Sequence, residues 1–220
     1  LRQACVALAA LGFATPALAQ EKLSRADIFS LEMAADPQIS PNGDVIAYVR
    51  RSNDIMTDQT LSAIWRVDFD GDDHRPFITE DGSVSSPRWS PGGERLAYVR
   101  SHDGATQLRV AYADGSTARL ATLPFGPGGI AWSPDGEHIA FTMLAPEKPE
   151  SASVDIGLPD KPRGAEWAET AIVDETILYE FDGVGELPDG RSQVFVISAD
   201  GGAPRQLTRF ESGSLGGLSW

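Results

Sequence analysis

A fold built from repeated four-stranded units is predicted by three features of this 220-residue sequence. A Ser-Pro-x-Gly phrase or a close variant occurs three times, followed each time by an aliphatic-Ala-aromatic triplet. A second turn signal, Asp-Gly, and a further apolar run come after each triplet. The spacing is regular, since Trp89 and Trp132 are 43 residues apart. Four short strands in ~40–45 residues are typical of a propeller blade. The sequence therefore predicts an all-β fold, a partial β-propeller of four-stranded antiparallel blades.

Residues 1–19 have the layout of a secretory signal peptide. Arg2 is followed by an apolar stretch from Ala4 to Ala14 and by the small-residue pattern Ala17-Leu18-Ala19. The stretch is too short to span a bilayer, and the alternative is a buried N-terminal helix. Cleavage near Ala19 removes Cys5, the only cysteine. We therefore expect an exported protein, periplasmic or secreted, without disulfides.

The first blade is expected after a short helical lead-in over residues 20–36. It covers residues 37–79, with a tight turn at Asn42-Gly43 and a second turn at Asp70-Gly71. Dipeptides of this kind favour the positive φ angles of two-residue hairpins. The triplet Ile46-Ala47-Tyr48 contains no polar residue, which indicates a strand covered on both faces.

Two further blades and the start of another are predicted downstream. Residues 87–122 form the second blade, and residues 130–208 form the third, which carries an insertion at 143–190. Leu218-Ser219-Trp220 reads as the opening strand of the next blade. Closed propellers have four to eight blades, so we expect a propeller truncated before closure, the N-terminal piece of a longer protein. A β-sandwich with similar turns is the alternative.

Composition excludes one class of partner. The formal net charge is -14 at pH 7, with 32 acidic and 18 basic residues. Phosphate contacts require clustered Lys and Arg, so no nucleic-acid binding is expected. The sequence indicates no cofactor and no membrane span, and it leaves the oligomeric state open.

Three segments resemble peptidases of the prolyl oligopeptidase family. Asp27-Ile28-Phe29 through Asp36–Gly43 is similar to the helix and first hairpin that begin such proteins. Leu158–Ala168 is similar to a Pro-Lys-Pro-x-Gly-Ala-x-Trp segment of the acylaminoacyl-peptidase or dipeptidyl-aminopeptidase-like branch. Tyr179–Gly185 resembles a Tyr-Arg-x-Asp-Gly-x-Gly segment there, with Glu180 where Arg is common. The resemblance covers residues from about 24 to 220.

The resemblance implies a serine peptidase whose propeller gates a following α/β-hydrolase domain. That domain would carry Gly-x-Ser-x-Gly, Asp and His, and it would cleave peptides or acyl-peptides. No catalytic residue is expected in this chain, because Ser212–Gly216 lacks the first Gly of the motif. The fragment alone is therefore predicted to be inactive. The alternative is a non-catalytic periplasmic propeller of the TolB type that acts as a protein-binding scaffold.

Few residues are candidates for a site. Trp167, Tyr179 and Glu186 lie on or beside the insertion and are predicted to face a substrate cavity. The other candidates are interpreted as structural. His74, His102 and His138 are expected at the surface, and no metal site is expected at the acidic cluster, because its spacing does not fit a calcium loop. We interpret the tryptophans as packing residues. The cluster and these tryptophans are Asp68, Asp70, Asp72, Asp73, Trp65, Trp89 and Trp132.

Overall fold

The computed structural model describes residues 24–146, 162–166, 180–181, 185–186, 190–211 and 217–220. Within these ranges the chain forms one short 3₁₀ helix, Arg25–Ser30, three four-stranded antiparallel sheets and one two-stranded sheet. Sheet 1 contains β1 (Glu32–Ile39), β2 (Val45–Asp54), β3 (Gln59–Asp68) and β4 (Arg75–Ile78). Sheet 2 contains β5 (Ser83–Trp89), β6 (Arg95–His102), β7 (Ala105–Tyr112) and β8 (Thr117–Leu123). Sheet 3 contains β9 (Gly128–Trp132), β10 (His138–Pro146), β13 (Gly190–Ser198) and β14 (Arg205–Gln206). The two-stranded sheet pairs β11 (Glu180–Phe181) with β12 (Gly185–Glu186).

The 3₁₀ helix packs against sheet 1. Its first turn is fixed by the Ser24 N–H, which donates to Asp27 Oδ2 at 2.6 Å. The amide of Asn53 on β2 donates to the carbonyl of Ile28 at 2.8 Å. Within the lead-in expected over residues 20–36, the helix ends at Ser30 and the residues from Glu32 onward are already part of β1.

A buried serine explains why the first turn of each blade repeats. The Oγ atoms of Ser40, Ser90 and Ser133 accept the backbone N–H of the residue five positions later, at 2.9 to 3.1 Å. The backbone of each serine also pairs with that residue, so four residues form each loop. The expectation of two-residue hairpins was wrong. Only the glycine of each dipeptide has positive φ. The serine hydroxyl accepts a backbone N–H from the far side of the loop, and this bond stabilises a four-residue loop in place of a two-residue turn.

Each first strand contains a β-bulge opposite the aromatic residue of the triplet. Asp36, Ser86 and Gly129 have φ values of 48°, 56° and 55°. The strand register shifts at all three places. A bulge adds one residue to one strand, and it tolerates a proline that has no N–H to donate. This explains Pro37 and Pro87, which directly follow two of the bulged residues.

The three sheets stack face to face as consecutive propeller blades. One apolar cluster joins sheet 1 to sheet 2, and a larger one joins sheet 2 to sheet 3. Leu96, Tyr98, Ile139 and Phe141 are completely buried between sheets. This confirms the all-β, partial-propeller fold that the apolar triplets predict.

The insertion interrupts sheet 3 between its second and third strands. Pro146 at the end of β10 pairs with Gly190 at the start of β13, so the same hairpin continues on both sides of the inserted segment. The order of the sheet is β14-β13-β10-β9. None of the described residues forms a helix that is long and apolar enough to cross a membrane.

Candidate functional site

The first strands lie at the inner edge of the fan, nearest the propeller axis. β1 contacts β5, and β5 contacts β9, across the gaps between sheets. A tryptophan at the end of a first strand donates its indole N–H to a backbone carbonyl of the preceding sheet. The accepting residue directly precedes the position that aligns with this tryptophan in the repeat. These bonds run from Trp89 to Gln38 at 3.1 Å, from Trp132 to Arg88 at 2.9 Å and from Trp220 to Ala131 at 3.1 Å.

An ion pair lies on this inner edge. Arg88 Nη1 donates to both carboxylate oxygens of Asp36, at 3.0 and 2.8 Å, and the amide of Gln38 donates to Asp36 Oδ1 at 2.9 Å. Each charged side chain is about one third exposed, at 30% and 31%. Such pairs contribute little to stability, about 0–1 kcal/mol. The pair therefore places a fixed polar group beside the axis without being essential to the fold.

The two ends of the blades differ in what they carry. We call the end with the Ser-Pro-x-Gly turns the turn end. The opposite end, where the chain passes from one sheet to the next, is the link end. The 3₁₀ helix precedes β1 at the link end, and the connections between second and third strands also lie there. The insertion, after Pro146 and before Gly190, therefore leaves and re-enters the third blade at the link end.

A cleft of about 670 Å³ opens at the link end between sheets 1 and 2. Its walls present hydroxyl, amide and carboxylate groups, including those of Asp54, Thr57, Gln59, Ser83 and Asp103. The N–H of Met56, and then the hydroxyl of Thr57, lower the pKa of Asp54 from its usual value. Each carboxylate oxygen of Asp54 is therefore occupied by a donor within the connection between β2 and β3.

A polar network joins Glu80, which follows β4 at the link end of sheet 1, to side chains of β6 and β7 in sheet 2. The Tyr98 hydroxyl donates to Glu80 Oε1 at 2.8 Å and accepts from Arg109 Nε at 3.1 Å. Glu80 Oε2 lies 3.4 Å from Arg100 Nε and 3.3 Å from Arg109 Nε. Burial, more than any other cause, raises the pKa of Tyr98 to about 12. The network ties the segment after β4 to sheet 2, and among the described residues Glu80 Oε2 is held there by the two arginine charges without a hydrogen bond of its own.

The predicted substrate-facing residues are only partly within the described chain. Trp167 and Tyr179 lie outside the described residues. Glu186 belongs to β12 and pairs with Glu180, but its side chain is outside the part of the chain that the structure describes. Their role toward a substrate stays a prediction.

The histidines make different contacts. His74 packs against Tyr48 and Trp65 on the free face of sheet 1, with ring centroids 6.0 and 5.2 Å away. His102 lies 3.2 Å from Asp103 at the rim of the cleft. His138 is exposed at the turn end, where it groups with Asp135 and Glu137. The Ser133 hydroxyl already donates to Asp135 and is the main cause of its lowered pKa, so this group belongs to the turn.

The acidic turn of sheet 1 is paired with arginines. Arg66 Nη2 lies 2.9 Å from Asp68 Oδ1 and 3.1 Å from Asp73 Oδ2, and Arg75 Nε lies 2.8 Å from Asp73 Oδ1. Asp70 Oδ1 accepts the N–H of Asp72 at 3.2 Å. These carboxylates stabilise the hairpin through contacts within it.

The Asp36–Arg88 pair and the Glu80 network were missed by the sequence reasoning. A signal for the pair was present, because Asp36-Pro37 and Ser86-Pro87 occupy the same place in the repeat. That signal marks a bulge, but it does not reveal which side chain reaches across to it. The network contains no short motif, since Glu80 and Arg109 are far apart in the chain.

Comparison with known proteins relates the chain to peptidases. It is 29% identical over 184 residues to the uncharacterized peptidase YuxL of Bacillus subtilis, covering 83% of this chain and 27% of that protein. It is 28% identical over 147 residues to dipeptidyl-peptidase 5 of Porphyromonas endodontalis, covering 60% of this chain and 21% of that protein. The chain is a relative of these peptidases. This confirms the resemblance to peptidases.

The similarity extends over only part of each relative. The chain spans about a quarter of the length of these curated relatives. It also matches the Tol-Pal system protein TolB of Alcanivorax borkumensis, 33% identical over 78 residues, covering 34% of this chain and 18% of that protein. Acylaminoacyl peptidase of Pyrococcus horikoshii superposes with a TM-score of 0.59 at 18% identity, over 86% of this chain and 28% of that one, which shows a shared fold. No protein-family model matches the chain.

Proposed function

We propose that this chain is the N-terminal part of the gating propeller of an exported serine peptidase that cleaves peptides or acyl-peptides. The observation that carries the proposal is the similarity to two peptidases, over 83% and 60% of the chain. An α/β-hydrolase domain that follows in the same polypeptide would hold the Ser, Asp and His. The propeller would admit peptides to the cavity and exclude folded proteins.

The inner edge and the link end supply groups suited to this role. The Asp36–Arg88 pair places polar atoms beside the axis, where a peptide that passes through the ring would meet them. The cleft between sheets 1 and 2 is lined by side chains such as Gln59 and Ser83, whose amide and hydroxyl groups can pair with the backbone of a peptide.

The test uses the full-length protein expressed from its gene and treated with a fluorophosphonate, which labels only active serine hydrolases. We expect one labelled serine, located within Gly-x-Ser-x-Gly downstream of residue 220, and no label on a variant with that serine replaced by alanine. The labelled protein is expected in the exported fraction, with its N-terminus near Gln20. A gene that ends after two or three more blades, or a full-length protein without label, would contradict the peptidase assignment.

A second candidate is a TolB-type scaffold, favoured by the match to TolB over 78 residues. It predicts no hydrolase domain, no fluorophosphonate label and co-purification with a protein of the cell envelope. The labelling experiment therefore separates the two functions.

A further inference from the structure

One position of the first strands carries a charge in only one of the three described blades. The residue that pairs with the alanine of the triplet is Gln38 in sheet 1, Arg88 in sheet 2 and Ala131 in sheet 3. All three residues lie on first strands, at the inner edge of the fan. Arg88 therefore places a positive charge beside the axis that the repeat itself does not require.

One end of the Arg88 guanidinium is held within the protein. Nη1 donates to both carboxylate oxygens of Asp36, at 3.0 and 2.8 Å, and to the carbonyl of Pro87 at 2.6 Å. Asp36 is fixed in turn, because the Gln38 amide donates to its Oδ1 at 2.9 Å. These contacts hold the planar group in position, so little side-chain entropy remains to be lost when a ligand binds.

The opposite edge of the guanidinium is open. Nε and Nη2 of Arg88 have no hydrogen-bond partner among the described residues, and neither belongs to the buried atoms that lack one. The side chain is 30% exposed. Nε and Nη2 lie on the same edge of the group, and their parallel N–H bonds match the two oxygens of a carboxylate.

We propose that Arg88 is a specificity-determining residue that binds a carboxylate of the peptide at the inner edge, through Nε and Nη2. This rests on the proposed function, under which peptides reach the cavity along the propeller axis. A free C-terminus and an Asp or Glu side chain present the same two oxygens, and the experiment separates these sources. The net charge of -14 does not prevent such binding, because charges beyond about 8 Å are largely screened at physiological salt.

Asp36 opposes this recognition in a direction that can be tested. Its carboxylate contacts the guanidinium and partly cancels the positive charge that a ligand meets. Asparagine at this position removes the negative charge and keeps the bulge, because Asn is among the residues that tolerate a positive φ such as the 48° found here. Asp36→Asn is therefore expected to strengthen carboxylate binding, an effect that a damaged fold would not produce.

The test measures peptide binding to the full-length protein by isothermal titration calorimetry. Any serine that takes the fluorophosphonate label is first replaced by alanine, so that the peptide is bound without being cleaved. The probes are tetraalanine, tetraalanine amide and the amide of Ala-Glu-Ala-Ala. We expect one of the two probes with a carboxylate to bind about tenfold more tightly than tetraalanine amide. Tighter binding of tetraalanine identifies the C-terminus as the recognised group, and tighter binding of the glutamate peptide identifies the side chain.

Three substitutions assign the effect to this arginine. Arg88→Gln is expected to weaken binding of the preferred probe about tenfold and to abolish its advantage over tetraalanine amide. Asp36→Asn is expected to strengthen it about two- to fivefold. Arg119→Gln is the matched control, because Arg119 is exposed on β8, the outermost strand of the same sheet, and should change binding by less than about twofold.

The outcomes separate this inference from the proposed function. Equal or undetectable binding of the three probes, equal effects of Arg88→Gln and Arg119→Gln, or weaker binding by Asp36→Asn overturns the role of Arg88. Any of these results together with a fluorophosphonate-labelled serine leaves the peptidase assignment intact. Carboxylate binding that depends on Arg88 in a protein without a labelled serine supports the inference and rejects the peptidase.

Discussion

Single buried hydroxyl groups determine the shape of the first turns. Ser40, Ser90 and Ser133 are 7%, 2% and 3% exposed, and each Oγ accepts a backbone N–H from across its loop. A buried N–H that loses its acceptor costs about 1–3 kcal/mol. The serine in the repeated phrase is therefore as important as the glycine that permits the positive φ.

Replacing Ser90 with alanine tests this role. The Arg95 N–H, now 3.1 Å from the Ser90 hydroxyl, would lose its side-chain acceptor. We expect Ser90→Ala to lower the free energy of unfolding by about 1–2 kcal/mol, measured by urea denaturation. Ser101→Ala, on an exposed serine of the same sheet, is the control and should change it by less than about 0.5 kcal/mol. Equal effects of the two substitutions would contradict the role of the hydroxyl.

At the level of elements, the sequence predicted the strands better than the turns. The apolar triplets located the second strand of each sheet, because only a strand packed on both faces omits polar residues altogether. The dipeptide signals located the turns but not their type, since a side-chain acceptor outside the dipeptide lengthens each loop. The bulges of sheets 1 and 2 left only a weak local signal, a proline after Asp36 and after Ser86, and the bulge at Gly129 left none of that kind. They depend on pairing with a strand about ten residues away.

One link between elements offers a sharp prediction. Gly82, between β4 and β5, has φ +88°, and a Cβ there would overlap the Ser101 carbonyl oxygen and lie 2.8 Å from the His102 Cβ. Gly104 has φ +71° but open space around it. We expect Gly104→Ala to lower the free energy of unfolding by about 1–2 kcal/mol through its φ alone.

Gly82→Ala should exceed that loss by about 1–3 kcal/mol, because a backbone carbonyl has to move. Urea denaturation of both variants measures the difference. Equal decreases in unfolding free energy for the two variants would contradict this prediction, because they would show that the backbone around Gly82 accommodates a Cβ atom without cost.

At the scale of the whole molecule, stacking depends on contacts that repeat from blade to blade. The repeat identified Trp89 and Trp132 as packing residues, and each indole reaches the preceding sheet. Trp65 was grouped with them, but it lies on β3, and Ile39 occupies the aligned position in sheet 1. The candidate site was only weakly predictable, because the pair on the axis and the buried network join residues from different blades.

The Tyr98 network makes the junction of sheets 1 and 2 sensitive to alkaline pH. The pKa of Tyr98 is raised from 10.0 to about 12 in the folded protein. The folded state therefore holds the proton more tightly than the unfolded chain. The stabilisation is fully present below pH 10 and is lost as the pH rises toward 12. We expect the free energy of unfolding to fall over this range.

Tyr98→Phe removes the titrating hydroxyl and provides the comparison. The difference in unfolding free energy between the wild type and Tyr98→Phe should shrink as the pH rises from about 10 to about 12, because only the wild type carries a hydroxyl that ionises at this position. Chemical denaturation at several pH values measures it. A difference that stays constant over this range would show that Tyr98 is not protected by its burial.

The bulge in every first strand has a consequence for how such a ring can diversify. Its extra residue breaks the alternation of side chains between the two faces of the sheet. The positions before and after the bulge are therefore under different structural constraints. The half beyond Asp36, Ser86 or Gly129 holds the tether to the neighbouring blade and the serine of the loop. The half before it still takes part in stacking where its residues are buried, as at Val84, whose carbonyl accepts the Ser62 hydroxyl of sheet 1 at 2.7 Å. Only its exposed positions, such as Met33 and Ala34 on β1, are free to change without loosening the contact between blades.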